Sequence, residues 1–268
     1  MDGVRRLLSF VVTAVTFAAG LGLLAPGAVT LLNWPRSSEP LPPDALALAL
    51  AGSLLLGLGA FTVRWSSSGL LLIGGLVVVA GALAIGQIDA PTSATLRIVD
   101  ALNNALPGLG NGLIELTFHG MPVLLGATWF GIGLGARRRP RPRATGALAV
   151  ACAILALVAL IAQQYAAQLT ASQPAGSSRQ LLVIGAGALF GLLLTPSGSK
   201  TIGLWLGGGV SVVVGLVLLF FDGLLEQAPV AYGVARFMGF SGMFAALGVI
   251  LLGAAWGATL RQRAGNHR

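Results

Sequence analysis

Two sets of ionisable residues in this chain are of the right type for chemistry. Asp89, Arg97, Asp100, Glu115 and His119 form the first; Asp222, Glu226 and Arg236 form the second. Carboxylates beside an imidazole can pass protons or hold a metal ion, and carboxylates mixed with arginines can contact a charged headgroup. The metal reading lacks ligands: Glu115 and His119 have no other strong ligand near them in sequence, Cys152 stands alone in an apolar run, and His267 lies in the C-terminal tail. No metal and no cofactor is therefore expected. If the two sets belong to paired halves of one bundle, they ring a single mouth and form a candidate ligand-binding rim. The plainer account is that they are solvated loop charges.

A third set is purely basic. Arg137, Arg138, Arg139, Arg141 and Arg143 fall within seven positions between two apolar runs. Nucleic-acid binding is not expected from them, because no aromatic residues interleave and no folded module surrounds them. They read instead as a topology signal that meets anionic lipid headgroups.

The elements that must carry these residues are set by composition. Of 268 residues, 56% are hydrophobic and 9% charged. A soluble domain carries about 25% charged residues, so this chain cannot solvate an ordinary globular exterior. Apolar runs of about 18 or more residues read as bilayer-spanning helices. The pattern predicts an all-α, polytopic transmembrane bundle of about eight helices, at about 7–33, 44–65, 69–88, 118–136, 144–168, 180–195, 201–221 and 236–258. Pro26-Gly27 is a candidate kink in the first helix. The segments 64–69 (RWSSSG) and 195–200 (TPSGSK) are expected tight turns. Between the third and fourth helices, 95–106 is expected to form a short amphipathic helix at the membrane surface, with Leu96, Val99, Leu102 and Leu106 on one face. The N-terminal run imitates a signal peptide but exceeds the usual 7–15 apolar residues, so an uncleaved first helix is expected.

Orientation follows from the distribution of basic residues. With both termini cytoplasmic, the inside holds Arg5, Arg6, Arg64, the Arg137–Arg143 block, Lys200, Arg261, Arg263 and Arg268, for a net +11. The outside holds Arg36, Arg97, Arg179 and Arg236 with seven acids, for a net −3, and the two add to the chain's +8. The expected location is a bacterial inner membrane, multi-pass.

The chain forms a single integral membrane domain, within which a duplication is expected, with half-repeats 1–136 and 144–260 joined by the basic loop 137–143. Gly74, Gly75 and Gly81 in the third helix match Gly208, Gly209 and Gly215 in the seventh, and Phe118-His-Gly120 matches Phe237-Met-Gly239. On this 4+4 arrangement, Gly75 and Gly209 should occupy equivalent close contacts. Small-residue spacings at Gly131/Gly135, Gly187/Gly191, Gly203/Gly207 and Gly253/Gly257 allow close helix approach. Trp34, Trp65, Trp205 and Trp256 fall near helix ends, whereas Trp129 should pack inside the bundle.

Pro196-Ser197-Gly198 resembles the Pro-Ser-Gly-His element of the PAP2 lipid phosphatases. Ser199 stands where that family has His, and 235–242 (ARFMGFSG) lacks its Ser-Arg…His pattern, so no catalytic residue is carried over. The leading functional expectation is a non-enzymatic carrier or accessory subunit handling lipid-like or apolar substrates. The rivals are a structural subunit of a larger membrane complex and a membrane-embedded lipid-processing enzyme. The expected partners are membrane lipids, together with a membrane-protein partner or a second copy of the chain.

Overall fold

The computed structural model describes residues 2–34, 40–88, 93–137, 177–199, 201–220 and 242–266, together with Ala151, Ile154, Leu155 and Val158. Every regular element among them is helical. In chain order these are α1 (Asp2–Asn33), α2 (Pro43–Phe61) with a 3-10 turn (Thr62–Arg64), α3 (Ser68–Ile88), α4 (Ser93–Ala105), α5 (Leu109–Phe118), α6 (Met121–Arg137), α7 (Ser177–Ser199), α8 (Thr201–Phe220) and α9 (Met243–Asn266). The expected fifth helix, 144–168, lies outside the described residues except for the four named above.

Five helices among the described residues are long and apolar enough to cross a membrane: α1, α2, α3, α8 and α9. The pair α5–α6, bent by 74°, passes as a sixth if taken as one span. In α7 the apolar part is shorter, Ile184–Thr195. The apolar residues also face the wrong way for a water-soluble protein. On α3 the i, i+4 stripe of Leu72, Leu76, Val79 and Leu83 is 56%, 61%, 59% and 68% exposed, and Leu54 and Leu58 on α2 behave alike. Exposed apolar area on this scale marks a lipid-facing surface. The chain is accordingly read as a multi-pass, membrane-embedded helical protein.

Side by side, the helices run α8, α9, α2, α1, α3, α6, α7. Small residues set the spacing. On α2, Ala45, Ala49, Gly52, Leu56 and Gly59 form the buried face, and a Cβ on Gly27 of α1 would stand 2.7 Å from the Ala45 carbonyl oxygen and Ala49 nitrogen. Packing of that quality explains why α1 continues through Pro26 to Asn33 rather than ending early. A proline inside a membrane helix is tolerated where neighbouring helices hold the segment. The N-terminus of α2 is set by Pro42 and Pro43, the second at the first helical position, where the missing N–H costs nothing.

α6 sits at the bundle centre, between α3 and α7, and is buried over nearly its whole length. Trp129 of α6 is fully buried and meets Phe17 edge to face, with centroids 5.0 Å apart. The expected helix at 118–136 is thus split. Its N-terminal end breaks at Gly120, which has φ 71, and the chain turns away into α5. Only glycine takes that left-handed conformation at little cost. α9 starts from a second such residue, Gly242, with φ 74.

Two expectations about turns and glycines need correction. α7 is helical through Ser199 and α8 starts at Thr201, so Pro196-Ser197-Gly198 belongs to a helix end rather than to a loop. A Cβ on Gly75 would meet only the Phe130 ring, at 3.7 Å, and one on Gly209 would meet nothing within 4 Å among the described residues. The close contacts fall one residue earlier. A Cβ on Gly74 would lie 2.6 Å from Phe130 N and 2.7 Å from Gly126 O, and one on Gly208 would lie 3.0 Å from Gly248 O. One residue rotates a helix by about 100°, and that turns Gly74 and Gly208 onto the packed contacts and their neighbours away from them.

Candidate functional site

The polar groups of the described residues gather at the two ends of the bundle. At one end, α4 and α5 form a helical hairpin across the C-terminal half of α1. Asn103 ties it together: its side-chain oxygen accepts from Gly110 N–H at 2.8 Å and Asn111 N–H at 3.3 Å. Those are donors of the first turn of α5, which otherwise lack helical partners. Gly110 lets α5 approach the Val99 carbonyl of α4, and Gly112 lets it approach the Ala25 carbonyl of α1.

Four of the expected outer-rim residues are described here. Glu115 and His119 come together one helical turn apart, with Nε2 to Oε1 at 3.5 Å, beside the α5–α6 bend. Arg97 and Asp100 stand exposed on α4 and make no ion pair among the described residues. Asp89, Asp222, Glu226 and Arg236 lie outside the described residues. No group of three or more His, Cys, Asp or Glu side chains is found among those described, so Glu115 and His119 form a local pair. The amphipathic helix is present, as α4: of its expected apolar face Val99, Leu102 and Leu106 are half-buried, with Val99 against Gly110 of α5, while Leu96 is 52% exposed.

The opposite end carries a more developed site. A cavity of about 1020 Å³ is bordered by Arg5 and Arg6 of α1, Arg64 of the 3-10 turn, Arg137 at the end of α6 and Arg261 near the end of α9. Among the described residues no acidic side chain lines it; Ser66 and Ser67 add hydroxyl groups, and Leu8, Trp65 and Leu260 add apolar surface.

A network of hydroxyl groups adjoins these arginines at the α2–α3 turn. Ser9 Oγ donates to the Ser66 carbonyl at 2.9 Å, tying α1 to the α2–α3 turn. The Thr13 and Thr62 hydroxyls meet at 2.8 Å, both fully buried, and the Ser66 and Ser68 hydroxyls meet at 2.6 Å. Gly69 permits the approach, since a Cβ there would stand 2.6 Å from the Ser9 carbonyl oxygen. Arg137 Nε donates to Ser67 Oγ at 3.4 Å, which anchors one guanidinium to the turn. The turn between α2 and α3 is therefore held by several hydrogen bonds of the kind each contributing about 1 kcal/mol.

The charge count placed these five arginines on one side of the membrane. It had no means of showing that they border one cavity, since they come from positions 5, 6, 64, 137 and 261 on four separate elements. Of the basic block, Arg137 is at this site, while Arg138, Arg139, Arg141 and Arg143 lie outside the described residues.

The bundle between the two ends contains no buried ionisable side chain among the described residues. Its buried polar groups are the hydroxyls of Ser9, Thr13, Ser53, Thr62, Ser67, Thr117, Thr128, Thr195 and Ser211 and the indole N–H of Trp129; among the described residues Ser211 Oγ and Trp129 Nε1 meet no hydrogen-bond partner. Several bond back to the carbonyl four residues earlier, as Ser53 does to Ala49 at 2.6 Å and Thr128 to Leu124 at 2.7 Å. Such groups are satisfied within their own helix and offer no proton path across the bundle. Compared with models of protein families, with curated proteins and with solved structures, the chain matches none.

Proposed function

We propose that this chain is a non-enzymatic carrier or accessory subunit of a bacterial inner membrane that handles lipid-like substrates. The observation that carries the reading is the polar cavity open at one end of a bundle whose described core buries hydroxyls but no ionisable side chain. A cavity of about 1020 Å³ is in the range of small-molecule sites. Glu115 and His119 pair one helical turn apart at the far end of the bundle from this cavity.

The same proposal takes the chain to have eight spans in two four-helix halves with both termini cytoplasmic. Support comes from a constant register. Phe118-His-Gly120-Met121 matches Phe240-Ser-Gly242-Met243, three residues beyond the pairing with Phe237-Met-Gly239 expected from sequence, a segment outside the described residues. From there Gly126, Gly131 and Gly135 match Gly248, Gly253 and Gly257 without a gap. Gly120 and Gly242 share the left-handed backbone. Each carbonyl accepts from the amide four residues on, Leu124 at 3.1 Å and Ala246 at 2.9 Å.

Contacts follow that register. Gly74 meets Gly126 as Gly208 meets Gly248, and Gly81 meets Val123 as Gly215 meets Ala245. Between halves the correspondence is reciprocal: Gly57 of α2 meets Val249 and Gly253 of α9, while Gly191 of α7 meets Ala127 and Gly131 of α6. Each half thus lends one helix to the other, which suits a carrier whose halves move as a pair. Cytoplasmic placement of the arginine end rests on the positive-inside rule.

The test is reconstitution. Proteoliposomes holding the purified chain should speed the leaflet-to-leaflet exchange of a short-chain fluorescent phospholipid over empty vesicles, or the chain should co-purify in mild detergent with a membrane-protein partner. A chain that purifies alone and leaves exchange at the rate of empty vesicles fails the proposal.

A further inference from the structure

We infer that the arginine-bordered cavity is a binding site for a phosphate-bearing anion. The assignment deepens the carrier reading and rests on it for its use in the cell, but its chemistry is separately testable. Arg5, Arg6, Arg64, Arg137 and Arg261 converge from four elements on one cavity that no carboxylate of the described residues lines. Among the described residues none of the five forms an ion pair, and Arg137 spends one donor on Ser67. A solvated helix face would spread such charges along one element, each free to turn away from the others. Here the hydroxyl-tied α2–α3 turn fixes Arg64 and Ser67 against α1, which carries Arg5 and Arg6.

Like charges held around one cavity focus a positive potential into it and favour an anion that neutralises several at once. Guanidinium groups present planar forks that match phosphate oxygens in pairs, and Ser66 and Ser67 supply further hydrogen-bonding groups at the rim. The volume exceeds what an inorganic phosphate needs, and Leu8 and Trp65, 48% and 40% exposed, give the mouth an apolar, lipid-accessible side. The ligand chemistry is therefore a phosphate ester or diphosphate. Its two sources are the headgroup of an anionic phospholipid and a soluble phosphate compound.

Thermal unfolding of the full chain in maltoside detergent distinguishes them. Dihexanoyl phosphatidylglycerol, dihexanoyl phosphatidylcholine and pyrophosphate are each titrated against wild type and variants. A lipid headgroup predicts stabilisation by phosphatidylglycerol over phosphatidylcholine and none by pyrophosphate. A soluble ligand predicts stabilisation by pyrophosphate as well. In either case Arg64→Gln and Arg137→Gln should each weaken the apparent affinity about fivefold, the effect of one basic residue near an anionic surface. Arg97→Gln at the far end and Arg263→Gln, which does not line the cavity, should leave it unchanged. If Arg64→Gln or Arg137→Gln fails to fold, Arg5→Gln/Arg6→Gln in the exposed first turns of α1 gives the same reading. Equal stabilisation by phosphatidylcholine with none by pyrophosphate, or equal losses in the two control variants, overturns the assignment. Absence of lipid exchange with anion binding intact would fail the carrier reading and leave this site standing.

Discussion

Gly131 and Gly253 offer a quantitative test of the bundle's construction. A Cβ on Gly131 would run into the backbone carbonyl of Gly191, and one on Gly253 into that of Gly57. Neither obstacle is a flexible side chain, so the two helices at each crossing must separate. Overpacking of this kind costs about 1–3 kcal/mol. Alanine returns up to about 1 kcal/mol through its better helix propensity. Gly131→Ala and Gly253→Ala should therefore each destabilise the protein by roughly 1–2 kcal/mol, similarly to one another because their surroundings correspond. A Cβ on Gly209 would meet nothing within 4 Å among the described residues, so Gly209→Ala keeps only the propensity gain and should be neutral or slightly stabilising. Equilibrium unfolding in mixed micelles, followed by circular dichroism, measures all three. Wild-type stability in Gly131→Ala and Gly253→Ala, or a loss in Gly209→Ala as large as theirs, would refute close backbone packing at these crossings.

Reporter fusions after Arg143 and after Arg268 should both read cytoplasm and one after Ser177 should read exterior; an exterior signal at Arg143 sinks the eight-span arrangement. Replacing Arg137, Arg138, Arg139, Arg141 and Arg143 by neutral residues should produce mixed orientations in the same fusions, and a uniform wild-type pattern would remove them as the topology signal. Gly120→Ala and Gly242→Ala place a side chain on backbone with φ 71 and 74, so each should lower stability by about 1–2 kcal/mol, read by the same unfolding titration. Thr62→Val deletes the hydroxyl shared with Thr13 in the buried network behind the α2–α3 turn; because Thr13 keeps its bond to the Ser9 carbonyl, it should cost about 1 kcal/mol, and an unchanged midpoint would show that contact to be unimportant.

The described spans lie close to where hydropathy located them, and for one reason. Apolar length and charge spacing are properties of consecutive residues, and a bilayer reads them almost additively. Trp129 could be assigned to the interior because no charge or turn residue near it offered an interface. The five arginines could be grouped on one side by counting alone. The outer rim was legible only as Glu115 and His119, which a single helical turn brings together; Arg97 and Asp100 belong to a different helix.

What the chain's own order could not determine is rotation and partnership. Gly74 and Gly75 are indistinguishable by type, and so are Gly208 and Gly209; which of each pair meets a neighbour depends on where α6 and α9 stand, set by contacts with segments far away in sequence. The arginine cavity is the extreme case. Its residues come from four elements, and no local pattern encodes a void whose walls exist only once α1, the α2–α3 turn, α6 and α9 have packed. Hydrophobicity along the chain dictates that helices form and roughly where they cross the membrane; close packing among their faces, a many-body property of the folded bundle, dictates which side chains meet.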